Sequence, residues 1–363
     1  MSISRRRNKA GQSTYIVRWR DGDKEKSKSF KRSRDAKDYD AEIRNSLQKG
    51  TYLDPGAAKI TLSDFANQWL ADHTVAPSTR AKYRSLLDAQ ILPALGHLRL
   101  DQVTPQNVRI FLARSEKKPS TLRTISALLS SISAAAVDDE RIRKSFMPTK
   151  LALPREQADH RVFLKPEQVH ALVEAAPERY QALIYTAAWT GLRWGELAGL
   201  KRSRVDLEKA TLEVHVALVD HAGTLSLSPP KTPASQRTVR LTRINAEVLS
   251  KHMATYLGGG RMGLVFTTEL GHALRDDNWR KRIWKPLVNG IGSVPDETRF
   301  HDLRHTHVAL CLAVNMSMKA IQSRLGHSSI KVTMDRYGHL LDSVEERDMA
   351  SLDALGKPMS SHT

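Results

Sequence analysis

With a single cysteine, Cys311, the chain can build neither an internal disulfide framework nor a multi-cysteine zinc site. No run approaches the roughly eighteen consecutive apolar residues of a membrane-crossing helix. The opening MSISRRRNKA passes into charge with no hydrophobic segment behind it, so a soluble protein of the cytoplasm is expected. Acidic residues are also in short supply, 39 Asp and Glu against 57 Lys and Arg, and the resulting formal charge of +18 fits a protein that meets a polyanion, with nucleic acid first. The phosphate loop G-x-x-x-x-G-K-[ST] is absent, which argues against nucleotide hydrolysis. Gly258, Gly260 and Gly263 match G-x-G-x-x-G, but helical sequence precedes them and the strand-like Leu264-Val265-Phe266 follows. That is the reverse of the order a dinucleotide loop needs, and a plain turn is expected. H-E-x-x-H is missing too, and His301, His305 and His307 have only Asp302 as a neighbouring carboxylate, so neither a metal nor a cofactor is expected.

What is present reads as a multidomain, mainly α protein with small β-sheets, since 363 residues suffice for two or three cores. Tyr15 to Arg20 has strand composition, Asp21-Gly22 is a hairpin signal and Lys24 to Phe30 is the returning strand. Ser33 then reads as the cap of a helix carrying Ala36, Tyr39, Ile43 and Leu47, closed at Gly50. This basic sheet-plus-helix unit spans 1–55. A linker at Pro55-Gly56 leads to 59–146, where four apolar stripes predict a helical bundle. They begin at Leu62, Pro77-Ser78, Thr104-Pro105 and Ser120. A second linker over 147–157 precedes an α+β domain, 158–350. Its helices run through Val169–Ala176 and Leu183–Ala188, one small antiparallel sheet surrounds Leu212, Val214 and Val216, and helices return from Leu303.

Chemistry-bearing side chains gather in that last domain. Arg193 lies in Thr190-Gly191-Leu192-Arg193-Trp194-Gly195-Glu196-Leu197, where glycine ends one helix and another begins. His301 and Arg304 are three apart in His301-Asp302-Leu303-Arg304-His305, on one face of a helix. Leu325-Gly326-His327-Ser328-Ser329 is a helix stop, a histidine and a fresh cap. Ten residues beyond His327 comes Tyr337, on a short polar segment able to swing toward a phosphate. Tyr180 and Tyr185 lie in apolar helical sequence, Tyr83 in a bundle stripe, and Tyr15 and Tyr39 in the N-terminal unit, which marks them as packing residues. Lys231 sits in the polar turn Pro229 to Gln236.

In their order and spacing these boxes closely resemble the tyrosine recombinases, the phage integrase family, and the resemblance covers nearly the whole chain. It implies an arm-type DNA-binding domain, a helical core-binding (SAM-like) domain and a catalytic domain for the three blocks. It implies Tyr337 as nucleophile, Arg193 and Arg304 as clamps on the scissile phosphate, and His301 and His327 as supports for proton transfer. Lys231 becomes the donor to the departing 5′ oxygen, a role for which Arg237 and Lys209 compete, and Glu196 resembles the acid that orients the first arginine. The implied partners are duplex DNA at core and arm sites, three further copies in a tetramer, a host DNA-bending protein and an excisionase. The implied setting is the nucleoid of a bacterial host, where the enzyme integrates a phage or mobile element. A type IB topoisomerase, a non-catalytic DNA-binding regulator and a metal-dependent nuclease are the alternatives.

Physical chemistry asks for the same collection. A phosphodiester gains charge on its equatorial oxygens during displacement, and preplaced guanidiniums lower that barrier without a metal. Arginine's planar fork binds two phosphate oxygens and keeps its proton. A phenol with an ordinary pKa of about 10 needs such a cationic setting to attack near neutrality. The resulting ester conserves the bond energy, so resealing requires no nucleotide.

Overall fold

The computed structural model describes residues 1–7, 12–21, 23–49, 52, 54, 56–154, 161–221, 223–229, 233–257 and 263–337. They fall into two compact units, Met1–Ala158 and Asp159–Thr363. Gly50, Pro55, Gly258 and Gly260, read above as cap, linker and turn residues, lie outside the described set.

The first unit contains two separate hydrophobic clusters. In the N-terminal one, alternation along Ser13–Asp21 buries Val17 and Trp19 while exposing Arg18 and Arg20. The helix Ser33–Gln48 covers the buried side with Ala36 and Ile43. Ser33 is the first helical residue and not the cap; Arg32 holds the cap position, and no side chain bonds to the open N–H groups there. The sheet has a third strand that sequence reading passed over, Ser2–Arg7, antiparallel to the second, because six largely exposed residues of composition SISRRR carry no apolar alternation. Register places Arg6 opposite Thr14 and Arg18 opposite Ser27, so Arg6, Arg18 and Arg20 share the side that the helix leaves open. Tyr52, beyond the helix, closes the cluster by accepting a 2.6 Å hydrogen bond from the Trp19 indole.

The second cluster is the helical bundle: Leu62–Asp72, a continuous run over 77–95, Pro105–Arg114 and Pro119–Asp138. Thr104 caps the third helix in a reciprocal box with Asn107, as its sequence suggests. The run over 77–95 survives an internal Pro93 by widening one turn, Leu87–Ile91, just before it, which relieves the clash of the ring with the preceding turn. Asp276–Asn289 uses the same device, with the wide turn Arg280–Trp284 before Pro286. By length and composition Pro119–Asp138 could cross a membrane. Its Leu122, Ile125, Leu128, Leu129 and Ile132 are instead spent on the bundle core.

In the second unit, the helices Pro166–Ala175, Glu178–Thr190, Arg243–Tyr256 and Asp302–Ala313 pack around a core built from Leu172, Leu183, Ile184, Leu249, Phe266 and Trp284. Where one sheet was expected there are two. Val205–Asp206, Thr211–Val214 and Arg237–Arg240 form one antiparallel sheet, and the hairpin Ala217–His221 with Thr224–Ser228 forms another. Val216 belongs to neither; it lies in the break between them.

Candidate active site

Two helices end on glycines in the left-handed region, Glu178–Thr190 at Gly191 (φ 65°) and Met318–Leu325 at Gly326 (φ 64°). A Cβ on Gly191 would also meet the His307 ring at 2.6 Å, so the position excludes other residues on two counts. Helix C-termini leave carbonyls without intrahelical partners and carry partial negative charge. Arg304, 3% exposed on the helix Asp302–Ala313, takes up one from each end. Its guanidinium donates to the Gly191 carbonyl at 2.5 Å and the Leu325 carbonyl at 2.8 Å, and to His327 Nε2 at 3.0 Å. The boxes around residues 191, 304 and 326 are thus one arrangement: two helix ends turned by glycine to hold a buried cation. Burial, reinforced by the Arg193 charge, brings the Arg304 pKa down to about 9, leaving it protonated at neutral pH.

Because Arg304 donates to Nε2, the His327 ring carries its proton on Nδ1, which donates to Thr333 Oγ1 at 2.9 Å. Arg304 therefore sets this tautomer, and Thr333 accepts the Nδ1 proton and fixes the ring from its other side, a role the sequence did not single out. Its signal was available: it lies four residues before Tyr337 and faces inward on the same helix, Ile330–Tyr337.

Arg193 stands at the cap of the helix Trp194–Ala198 with its side chain 39% exposed, open to an incoming anion. Glu196, 4% exposed, accepts from the Arg193 backbone N–H at 2.9 Å and from Arg193 Nη1 at 2.8 Å. Arg237 grips the same carboxylate with two bonds of 3.1 and 2.9 Å. Burial pushes the Glu196 pKa up, but the Arg237 bonds and charge, with those of Arg193, outweigh it and hold the carboxyl below its ordinary value. Arg237 also donates through Nε to the Arg324 carbonyl, at the helix end that holds Arg304. This commits Arg237 to bracing Glu196, not to serving a leaving oxygen. Lys209 is exposed and paired with Asp206 at 3.3 Å. Lys231 itself lies outside the described residues.

His301 caps the helix whose first turn carries Arg304. Its ring sits at the rim of the site, exposed yet hemmed in by protein. Partial loss of water, then the Arg304 charge, lowers its pKa below the usual imidazole value. Tyr337 is brought into the same unit but not onto the surface: its ring is 1% exposed among Val308, Cys311, Leu312, Ile321 and Leu325. The polar segment read from the sequence is helical over Ile330–Tyr337, which reaches the last of the described residues. Its hydroxyl lies 2.7 Å from Nδ1 of His305, the residue that follows Arg304, so the phenol lies beside the Arg304 turn. Among the described residues no cluster of His, Cys, Asp and Glu could hold a metal ion.

His307, behind the clamp, accepts from Arg324 Nε at Nε2 and directs Nδ1 at the Ala188 carbonyl, 3.1 Å away. Burial and the Arg324 charge take its pKa down to about 3 from 6.5. Between those values the unfolded chain binds a proton that the folded chain refuses, so stability falls as pH drops below about 6.5. The contribution is about 1.4 kcal/mol per pH unit. His252, also lowered by burial, adds to the slope. Urea unfolding at pH 7 and pH 5 should show the loss, and His307→Gln should make it shallower; an unchanged slope would contradict the assignment.

Profiles of known families match two stretches: the phage integrase family at residues 162–343, and the phage integrase N-terminal SAM-like domain at 61–114. The integrase of Mycobacterium phage L5 is 28% identical over 309 residues, spanning 83% of this chain and 80% of that protein. A tyrosine recombinase XerC-like protein of Caldanaerobacter subterraneus subsp. tengcongensis is 27% identical over 358 residues, 90% of each. Among solved structures, the Tn1549 transposon integrase in complex with transposon right end DNA superposes with a TM-score of 0.69 at 21% identity, covering 81% of this chain and 99% of that one. A lambda integrase from a tetramer bound to a Holliday junction gives 0.57 at 20% identity, with 90% and 95% covered. At such identities the structural likeness is one of fold.

Proposed function

The chain belongs to the phage integrase family and is a site-specific DNA recombinase, and we propose that it integrates and excises a phage or other mobile element through a 3′-phosphotyrosyl intermediate made by Tyr337. In this reading the Tyr337 hydroxyl gives up its proton to a histidine of the site as its oxygen attacks the scissile phosphorus, the bond to the 5′ oxygen breaks, and that oxygen leaves with a proton. Lys231 is the proposed donor. Arg193 and Arg304 hold the phosphate, and His301 and His327 support proton transfer around it. Attack by the 5′ hydroxyl of a second duplex then reverses the chemistry and releases the tyrosine. The observation that carries the reading is Arg304, a guanidinium preorganised by two helix ends and His327, with the more open Arg193 charge and the Tyr337 phenol near it.

The division of labour is proposed as arm-site binding by 1–55, core-site binding by 59–146 and catalysis by 158–350. The protein would work as a tetramer on DNA, through a Holliday junction, at the nucleoid of a bacterial host. A host DNA-bending protein would shape the complex and an excisionase would set its direction. A strand-exchange assay in EDTA tests the whole reading. Crosswise joined products are expected, whereas relaxation of supercoils without recombinants would move the assignment to a topoisomerase. The open side of the N-terminal sheet, with Arg6, Arg18 and Arg20 on it, supports arm binding. Removing 1–55 should weaken binding to distal sites and flatten the dependence of log affinity on log salt, since each phosphate contact releases counterions. An unchanged slope would count against it.

A further inference from the structure

We propose that His305 is a positioning residue for the nucleophile: it berths the Tyr337 hydroxyl in the interior of the DNA-free enzyme, and Tyr337 must leave that hydrogen bond to reach a phosphate. The proposal rests on Tyr337 being the nucleophile. His305 follows Arg304 on the helix Asp302–Ala313 and is 4% exposed. Its Nδ1 lies 2.7 Å from the Tyr337 hydroxyl oxygen. The imidazole is held in place by the His301 ring, edge-on at 5.1 Å, and by Phe163 at 6.4 Å. One helical turn thus presents His301 at the rim of the site and His305 to the nucleophile inside it.

A phosphodiester cannot be attacked by an oxygen enclosed among Val308, Cys311, Leu312, Ile321 and Leu325, because bringing its charge into that cluster would strip it of water. The hydrogen bond therefore belongs to the state before attack. Burying a phenol is tolerable only if its hydroxyl is paired, and His305 supplies that pairing. His305 then governs the balance between berthed and free nucleophile, and the clamp must draw Tyr337 out of it.

The test reads the accessibility of Tyr337 in the full-length DNA-free protein, by tetranitromethane nitration and mass analysis of the peptide that contains it. In the wild type Tyr337 should react far more slowly than half-buried Tyr83. His305→Leu keeps apolar volume and removes the partner, and should speed nitration by about tenfold, the loss expected for one hydrogen bond. His305→Asn keeps a polar atom near the Nδ1 position and should restore protection, which packing alone would not predict. Tyr180 and Tyr185, buried elsewhere, report whether each variant is folded. Equal Tyr337 rates in wild type and His305→Leu, with Tyr180 and Tyr185 still protected, would overturn the proposal. If His305→Leu fails to fold, the wild type alone decides, and Tyr337 reacting as fast as Tyr83 would overturn it. Should Tyr337 not be the nucleophile, the wild-type DNA adduct would map to another residue while the nitration pattern stood, so the two failures are distinguishable.

Discussion

Tyr337→Phe will bind core-site DNA as tightly as the wild type and form no covalent adduct with it. The substitution removes one oxygen from a ring that is 1% exposed and makes no surface contribution. Affinity should therefore be untouched, while the only atom able to carry the 3′ phosphate in this account is gone. The same change leaves His305 Nδ1 without its 2.7 Å partner, so a stability loss of about 1 kcal/mol is also expected. Mobility shifts give the affinity, denaturing gels of trapped complexes give the adduct, and thermal unfolding gives the stability. A large fall in binding would show that Tyr337 shapes the DNA surface, contrary to its place in the fold.

Arg304→Lys should slow strand cleavage by about 10²–10³-fold, the loss typical of removing one preorganised donor from a transition-state site. The charge survives, but the fork does not. Arg304 donates at once to the carbonyls of Gly191 and Leu325 and to His327 Nε2, three directions that a flexible ammonium cannot reproduce in one pose. Arg304→Ala should be worse for the fold than for DNA affinity. It takes the guanidinium away from the Gly191 and Leu325 carbonyls and from His327 Nε2, at a cost of about 2–4 kcal/mol. Single-turnover cleavage alongside urea unfolding separates the two effects. A lysine variant with undiminished cleavage would mean that charge alone, without geometry, does the work.

The boxes around Arg193 and His327 were legible because each joins a charged or titratable residue to a backbone punctuation mark. Gly191 and Gly326 announce helix ends, and Thr104-Pro105 announces a start; all three behave as their local sequence dictates. The bundle was legible for the same kind of reason, since its apolar residues recur at helical spacing over whole helices. What escaped was set by distance along the chain. Arg237 reaches Glu196 across 41 residues, and nothing in its own surroundings distinguishes a buried brace from an exposed phosphate ligand. Thr333 and His305 look like ordinary helix residues until the fold turns one onto His327 and the other onto Tyr337. The strand Ser2–Arg7 escaped because it is nearly all polar and exposed, and so lacks the alternation by which strands are read. Tyr337 was read as a residue on a swinging polar segment because Asp335, Arg336 and His339 surround it. The fold instead counts by helical turns, and Thr333 and Tyr337, four apart, both face inward.

The central claim is that a cationic cradle organised by Arg304 delivers DNA to the phenol of Tyr337. It is tested most directly by trapping the wild-type enzyme on a nicked substrate in EDTA, digesting the complex and locating the DNA-linked peptide by mass spectrometry. The account predicts a 3′-phosphodeoxynucleotide on Tyr337 and nowhere else. DNA attached to any other residue, or bound DNA with no covalent link at all, would contradict it.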